Sequence, residues 1–196
     1  FVFLIFICCG PKKIDFERPV DTTSRPIEFQ VKKSFDFPMH QISFNNQFDG
    51  ARINGVSKIN DSVFKITVKP ENEPINNSPY YSFELSSQST QTIYLKFDYP
   101  KGYSHRYIPK QNWGDGWKLT EDKDIIIINN QTLLRLNKVF GTGLISAQEI
   151  QNSNHVKNWI KTISKNKSYI KWDTVGKTNL GKPLWVLDIK KGPPND

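Results

Sequence analysis

Three histidines, His40, His105 and His155, are the side chains of this chain best suited to hold a metal ion or move a proton near neutral pH. Their spacing argues against both uses. None has a second histidine or a cysteine at ligand spacing, and Glu149 and His155 fall on two separately capped helical pieces. A catalytic zinc needs three protein ligands and an open position for water, and no such set is legible between Phe1 and Asp196. The two cysteines, Cys8 and Cys9, are adjacent, so they form neither a spaced disulfide framework nor a zinc knuckle. No serine or cysteine nucleophile sits in a recognisable elbow. Gly176-Lys177-Thr178 has the ending of a phosphate-binding loop, but Lys171 stands where the glycine five positions earlier is required, and Gly181 and Pro183 stand where a helix must follow. No catalytic, cofactor-binding or metal residue is therefore assigned within the chain.

Ring stacking is a second kind of chemistry. Tyr99, Tyr103, Tyr107, Trp113 and Trp117 crowd one stretch, interleaved with Gly102, Gly114 and Gly116, and Asp115 and His105 stand among them as hydrogen-bonding groups. Such rings on a loop-rich edge can stack on sugars or peptides. Large aromatics more often pack, here capping a sheet or covering an interface with their polar tips at solvent or backbone, and that is the preferred reading. The formal charge of +8 invites a polyanion, yet the 27 cations include only five arginines, scattered at Arg18, Arg25, Arg52, Arg106 and Arg135. Bidentate reading of phosphate or guanine favours clustered arginine, so no nucleic-acid partner is expected. From Gly143 to Asp196 nine lysines face four acids, which reads as a solvated lysine-rich face.

Positioning falls to elements that the hydrophobic pattern marks out. The apolar run Phe1 to Ile7 ending in Cys8-Cys9 is far too short to cross a bilayer and reads as the remnant of a signal peptide over 1–9. With Gly10, Pro11 and Lys12-Lys13 behind it, the run resembles the end of a bacterial lipoprotein leader, which predicts a secreted or envelope location, periplasm or outer surface, with lipid on Cys8 or Cys9. A linker follows over 10–26, bracketed near its end by Pro19 and Pro26. Alternating apolar residues then predict strands at Ile27, Phe29 and Val31, at Phe64, Ile66 and Val68, at Tyr81, Phe83 and Leu85, and at Ile93, Leu95 and Phe97. Turn chemistry separates them at Asp49-Gly50, Asn54-Gly55, Lys69 to Pro74 and Asn76 to Pro79. Further strands are predicted at Ile125 to Ile128 and around Leu133, Leu134 and Leu136. The region 27–142 is thus expected to be an antiparallel all-β sandwich.

The pattern changes at Gly141-Thr142-Gly143. Ser146-Ala147-Gln148-Glu149 fits a capping box, and Ser153 is placed to cap a helix with Val156, Trp159, Ile160 and Ile163 on one buried face. A strand from Tyr169 to Val175, a turn at Asn179 to Gly181 and a strand from Leu184 to Ile189 follow. The second strand is nearly continuous in apolar residues, as in an α/β sheet buried on both faces. One helix and two strands are too little to close a core, so 143–196 is expected to be the start of a domain cut short.

These residues carry a resemblance. Ser146-Ala147-Gln148-Glu149-Ile150, the helix with Val156, Lys157, Asn158 and Trp159, Val175-Gly176-Lys177-Thr178, and Gly181-Lys182-Pro183-Leu184-Trp185-Val186-Leu187-Asp188-Ile189 resemble the opening of a zinc carboxypeptidase catalytic domain. In that family a helix precedes a hairpin of the form iGkS-x-x-G-[RK]-P-[IL], whose second strand runs into the core sheet; here Thr178 replaces Ser and Lys182 the commoner Arg. The upstream region is similar to the β-sandwich of the cytosolic-carboxypeptidase-like branch, through Phe48-Asp49-Gly50, Tyr80-Tyr81-Ser82-Phe83 and Tyr107-Ile108-Pro109 before the turn from Trp113 to Trp117. The likeness runs from Ile42 to Ile189.

The resemblance implies a β-sandwich followed by the truncated start of an α/β zinc-carboxypeptidase domain, in a hydrolase that removes C-terminal residues from peptide or protein C-termini. It implies Zn2+ held by two histidines and a glutamate, a second glutamate as general base and arginines on the substrate carboxylate. The first two ligands would form H-x-x-E on the loop after Leu184 to Ile189, beyond Asp196, so the segment by itself is expected to be inactive. Gly176, Gly181 and Pro183 would serve as scaffold. Two other classes stay open: a non-catalytic glycan- or peptide-binding β-sandwich of the bacterial envelope, and an adaptor whose surface lysines contact anionic lipid.

Overall fold

The computed structural model describes residues 30–70, 79–128 and 131–190. The leader over 1–9, the linker over 10–26, most of the first expected strand and turn residues 71–78 lie outside them. Of that first strand Val31 is described, and it is exposed and unpaired to any strand. The main sheet instead starts at β1 (Ser34–Phe37) and continues through β2 (Ile42–Asn45), β3 (Gly55–Lys58), β4 (Val63–Thr67), β5 (Ser82–Asp98), β6 (Lys110–Asn112), β7 (Lys118–Leu119), β8 (Ile125–Ile128) and β9 (Gln131–Ser146).

The period-two runs at Tyr81, Phe83 and Leu85 and at Ile93, Leu95 and Phe97 belong to one long stretch of β5 and its lead-in rather than to separate strands. β5 pairs antiparallel with β9 from Ser82↔Ser146 to Lys96↔Leu133, with register shifts between Ser87 and Ile93. At this break each long strand changes its outer neighbour. Residues 84–87 of β5 pair with β2, and residues 94–98 pair with β4; in β9, residues 131–134 pair with β8 and residues 144–146 with β6. The two halves close on one apolar core. Phe44 of β2 meets Phe64 of β4 with ring centroids 5.4 Å apart, and Tyr81 meets Phe97 at 4.5 Å. Phe44, Phe64, Phe83, Ile93, Leu95, Leu134 and Ile145 are fully buried, each contributing about 1.5–3 kcal/mol of apolar burial.

Two expectations need correction. The strands form one connected nine-stranded sheet, and it is mostly but not wholly antiparallel: β4 runs parallel to β5, from Val63↔Tyr94 to Thr67↔Asp98. A parallel neighbour requires a crossover of a dozen or more residues, and here the chain from Thr67 to Tyr94, which includes the first half of β5, provides that length. The change of pattern at 142/143 falls inside β9, which continues unbroken to Ser146.

Beyond the sheet, Ser146 does not open a helix. Its hydroxyl, fully buried, bonds the Tyr81 carbonyl at 3.3 Å and also the Gln148 carbonyl. The helix α1 (Ser153–Ser164) is capped by Asn152, not Ser153: the Asn152 side chain accepts from the Asn154 and His155 amides at 3.1 and 3.0 Å. Of its expected buried face only Ile160 is buried, while Trp159 is 57% exposed. β10 (Ile170–Lys177) and β11 (Pro183–Ile189) form a two-stranded antiparallel hairpin. β11 alternates half-buried Trp185 and Leu187 with exposed Leu184 and Val186, so it is not buried on both faces among the described residues. The inner side chains lie towards α1, where the Lys157 ammonium sits 5.3 Å over the Trp185 ring.

Candidate functional site

His40 is the histidine that the fold places in a cleft with charged partners. It ends a 3-10 turn, Pro38–His40, between β1 and β2, and Gln41 closes that turn in the left-handed region at φ 54° with its amide on the Pro38 carbonyl. The turn presses the imidazole edge-on against Phe64 at 6.0 Å. Lys58 at the end of β3 and Asp61 in the following turn reach the same ring nitrogen. His40 Nε2 lies 3.2 Å from Asp61 Oδ1 and 3.2 Å from Lys58 Nζ, and Lys58 donates to Asp61 at 3.1 Å. Hydrogen bonds first from His40 and then from Lys58 hold the Asp61 carboxyl below its usual range. Gln91, in the register break of β5, donates to the His40 carbonyl at 2.8 Å and to Ser89 Oγ at 2.9 Å. A cleft of about 910 Å³ opens here, with Met39 standing 92% exposed on its wall. Neutral Nε2 can accept from Lys58; protonated, it donates to Asp61. The arrangement can bind charge and exchange a proton, but among the described residues no serine or cysteine bonds to His40 as a nucleophile to be activated.

The aromatic stretch turns onto the core, in line with the packing reading. Tyr99, Tyr107 and Trp113 pack against the core, and Trp113 lies directly over Gly143 of β9 with its indole N–H donating to Gln111 Oε1 at 3.0 Å. Trp117 and Tyr103 are half-buried, and Asp115 is an exposed carboxylate paired with Lys118, which lowers its pKa. His105 is enclosed by Tyr81, Phe97 and Tyr99, with centroids at 5.7, 4.8 and 5.9 Å. Its Nδ1 shares a 3.0 Å hydrogen bond with the Tyr99 hydroxyl, while Nε2 and the Tyr81 hydroxyl are buried with no partner among the described residues. Burial pushes the His105 pKa down, opposed in part by a backbone contact at Tyr107, and burial pushes the Tyr81 phenol well up. Packing is therefore what these rings do.

His155 lies in the first turn of α1, where Nδ1 donates to the Ile150 carbonyl at 3.0 Å. Glu149 pairs with Lys110 at 2.9 Å and not with His155. Gly176-Lys177-Thr178 leads into the hairpin turn: the Gly181 amide bonds the Thr178 carbonyl at 2.8 Å, and the Lys182 amide bonds Thr178 Oγ1 at 3.1 Å. Gly181 has φ 74°, a conformation costly for a side chain. Among the described residues no three His, Cys, Asp or Glu side chains converge as a metal site, so the donor set they offer does not fit a zinc centre. Lys58 and Asp61 were not singled out by sequence reasoning; they lie 18 and 21 positions from His40, and no local pattern links them.

No protein-family model and no curated protein sequence matches the chain. Among solved structures it is similar to a metallo-carboxypeptidase from Burkholderia cenocepacia, with TM-score 0.61 and 12% identity over 79% of this chain and 41% of that one. It is also similar to a metallo-carboxypeptidase from Pseudomonas aeruginosa solved in complex with (2-guanidinoethylmercapto)succinic acid, with TM-score 0.58 and 9% identity over 77% of this chain and 41% of that one. The chain spans about two fifths of the length of these proteins. At such identity the likeness is one of fold, and it is the fold of part of a bacterial metallo-carboxypeptidase that this chain shares.

Proposed function

We propose that the chain is the N-terminal part of a zinc metallocarboxypeptidase that hydrolyses C-terminal residues from peptides. The observation that carries this reading is the fold shared with metallo-carboxypeptidases over 79% of the chain, joined to the Gly176 to Ile189 hairpin that the family pattern anticipates. In this reading the nine-stranded sheet, whose last strand runs to Ser146, precedes the catalytic domain that begins in the segment after it, and the zinc ligands follow Asp196. Zinc, when bound there, would polarise the scissile carbonyl and acidify a water. The described residues act as scaffold. Thr178 and Gly181 shape the hairpin turn, Pro183 starts β11, and ion pairs Lys182 to Asp49 at 3.2 Å and Lys110 to Glu149 at 2.9 Å tie the later segment to the sheet. Secretion, with lipid on Cys8 or Cys9, completes the proposal.

The test is the coding sequence after codon 196. An H-x-x-E motif shortly downstream, followed later by a histidine ligand and a glutamate base, is the expected result, and a stop codon there would sink the reading. The product of the whole gene should release free amino acids from peptides and lose that activity on chelation, whereas the 196-residue chain should release none. Activity that survives zinc removal refutes the mechanism.

A further inference from the structure

The His40 cleft does not end at the triad. Past Pro38 and Gln41 it runs into a second hollow of about 290 Å³ floored by Ser43, Ser86 and Gln88, and Asp36 stands at the junction of the two. The result is an elongated groove along the 3-10 turn, which suits an extended polymer better than a compact small molecule. The β5 ladder breaks beside it between Ser87 and Ile93, and Gln41 holds a left-handed backbone. Bulges and strained residues gather at functional sites.

Charge and apolarity narrow the ligand. The Asp36 carboxylate is exposed and accepts from Ser34 Oγ at 2.6 Å, and no described cation pairs with it. Asp61, 93% exposed, is shared between Lys58 and His40. With His40 neutral the groove carries two carboxylates and one ammonium, on a chain whose formal charge is +8. An acidic groove on a basic protein selects a local cation against the long-range field. Beside it Met39 offers a 92% exposed, adaptable thioether. No aromatic face lies open for a sugar, because Phe37 is turned onto Phe64 and Phe44 at 5.0 and 6.0 Å.

We propose that this groove binds an extended peptide segment, with a Lys or Arg side chain on Asp36, an adjacent apolar side chain on Met39, and its backbone amides met by Gln41, Gln88 and Ser89. The proposal does not rest on the peptidase reading, since binding here needs no hydrolysis.

The test uses the full 196-residue chain and fluorescence anisotropy of a fluorescein-labelled, C-terminally amidated peptide, Gly-Ser-Leu-Lys-Ser-Leu-Lys-Ser-Gly, against the same peptide with Glu for Lys. Saturable binding of the Lys peptide at least tenfold tighter than the Glu peptide is expected. Asp36→Asn and Met39→Ser should each weaken it at least fivefold, while Asp115→Asn, an exposed acid elsewhere, should leave it unchanged. All three positions are exposed, so circular dichroism of the variants should match that of the parent. Equal affinity for the two peptides, indifference to Asp36→Asn and Met39→Ser, or displacement of the peptide by a soluble oligosaccharide such as chitohexaose would overturn the proposal.

Discussion

Gly143 offers a sharp test of how the sheet is assembled. Its neighbour across the strand is the Trp113 indole, and a methyl group built on Gly143 would meet Trp113 Cζ3 at 2.7 Å, with Cε3 and Cδ2 nearer still. Carbon pairs settle at about 3.5–4.0 Å, so Gly143→Ala requires the indole to retreat by about 1 Å, which disturbs its 3.0 Å bond to Gln111. Gly143 is not in the left-handed region, so the backbone accepts alanine and the penalty is steric. Forced overpacking costs about 1–3 kcal/mol, offset by about 0.4–1 kcal/mol from the stiffer unfolded chain. A net loss of about 1–2 kcal/mol is expected from urea denaturation followed by far-ultraviolet circular dichroism. The decisive comparison is the double-mutant cycle. In a Trp113→Ala background the clash is gone, so Gly143→Ala should be neutral or slightly stabilising, with a coupling energy of about 1–3 kcal/mol. If Gly143→Ala has the same effect within about 0.5 kcal/mol in both backgrounds, the ring does not lie on the strand, and its inward packing is refuted.

Three further outcomes follow from particular side chains. His105 is held neutral by burial, with its folded pKa below the usual 6.5, so the unfolded chain takes up its proton first as the pH falls. Stability should be constant above about pH 6.5 and decline below it by up to about 1.4 kcal/mol per pH unit, less in the His105→Gln variant; an imidazole NMR titration midpoint at or above 6.5 contradicts the enclosure. Asn152→Ala removes the acceptor of two α1 amides and should cost about 1 kcal/mol, whereas Ser153→Ala should cost less; the reverse order in thermal melts would reassign the cap. Lys182 and Asp49 form an exposed ion pair, so Asp49→Asn should change stability by less than about 1 kcal/mol, and a larger loss at high salt would show that the contact does more than pair charges.

How far the sequence reaches depends on the range of the interaction involved. The alternation at Tyr81, Phe83 and Leu85, at Ile93, Leu95 and Phe97 and at Phe64, Ile66 and Val68 marks buried strand positions, and all of these residues are in the core. The hairpin around Gly181 and the helix after Asn152 are legible for the same reason: each is specified within one or two turns of chain. Ser146 shows the limit, because a capping box is only a local option and the β5 to β9 ladder claims that residue first.

The sequence by itself therefore determined the β-rich class, the strand faces, the helix after Asn152 with its hairpin, and the carboxypeptidase likeness that the fold comparison supports. Only the tertiary structure decided that β5 and β9 each serve two sets of neighbours, that β4 lies parallel, and that Lys58 and Asp61 meet His40. Periodicity is written into successive residues by the geometry of one strand. Partners and juxtapositions arise only when distant segments close on a common core, and no spacing within a single segment encodes that closure.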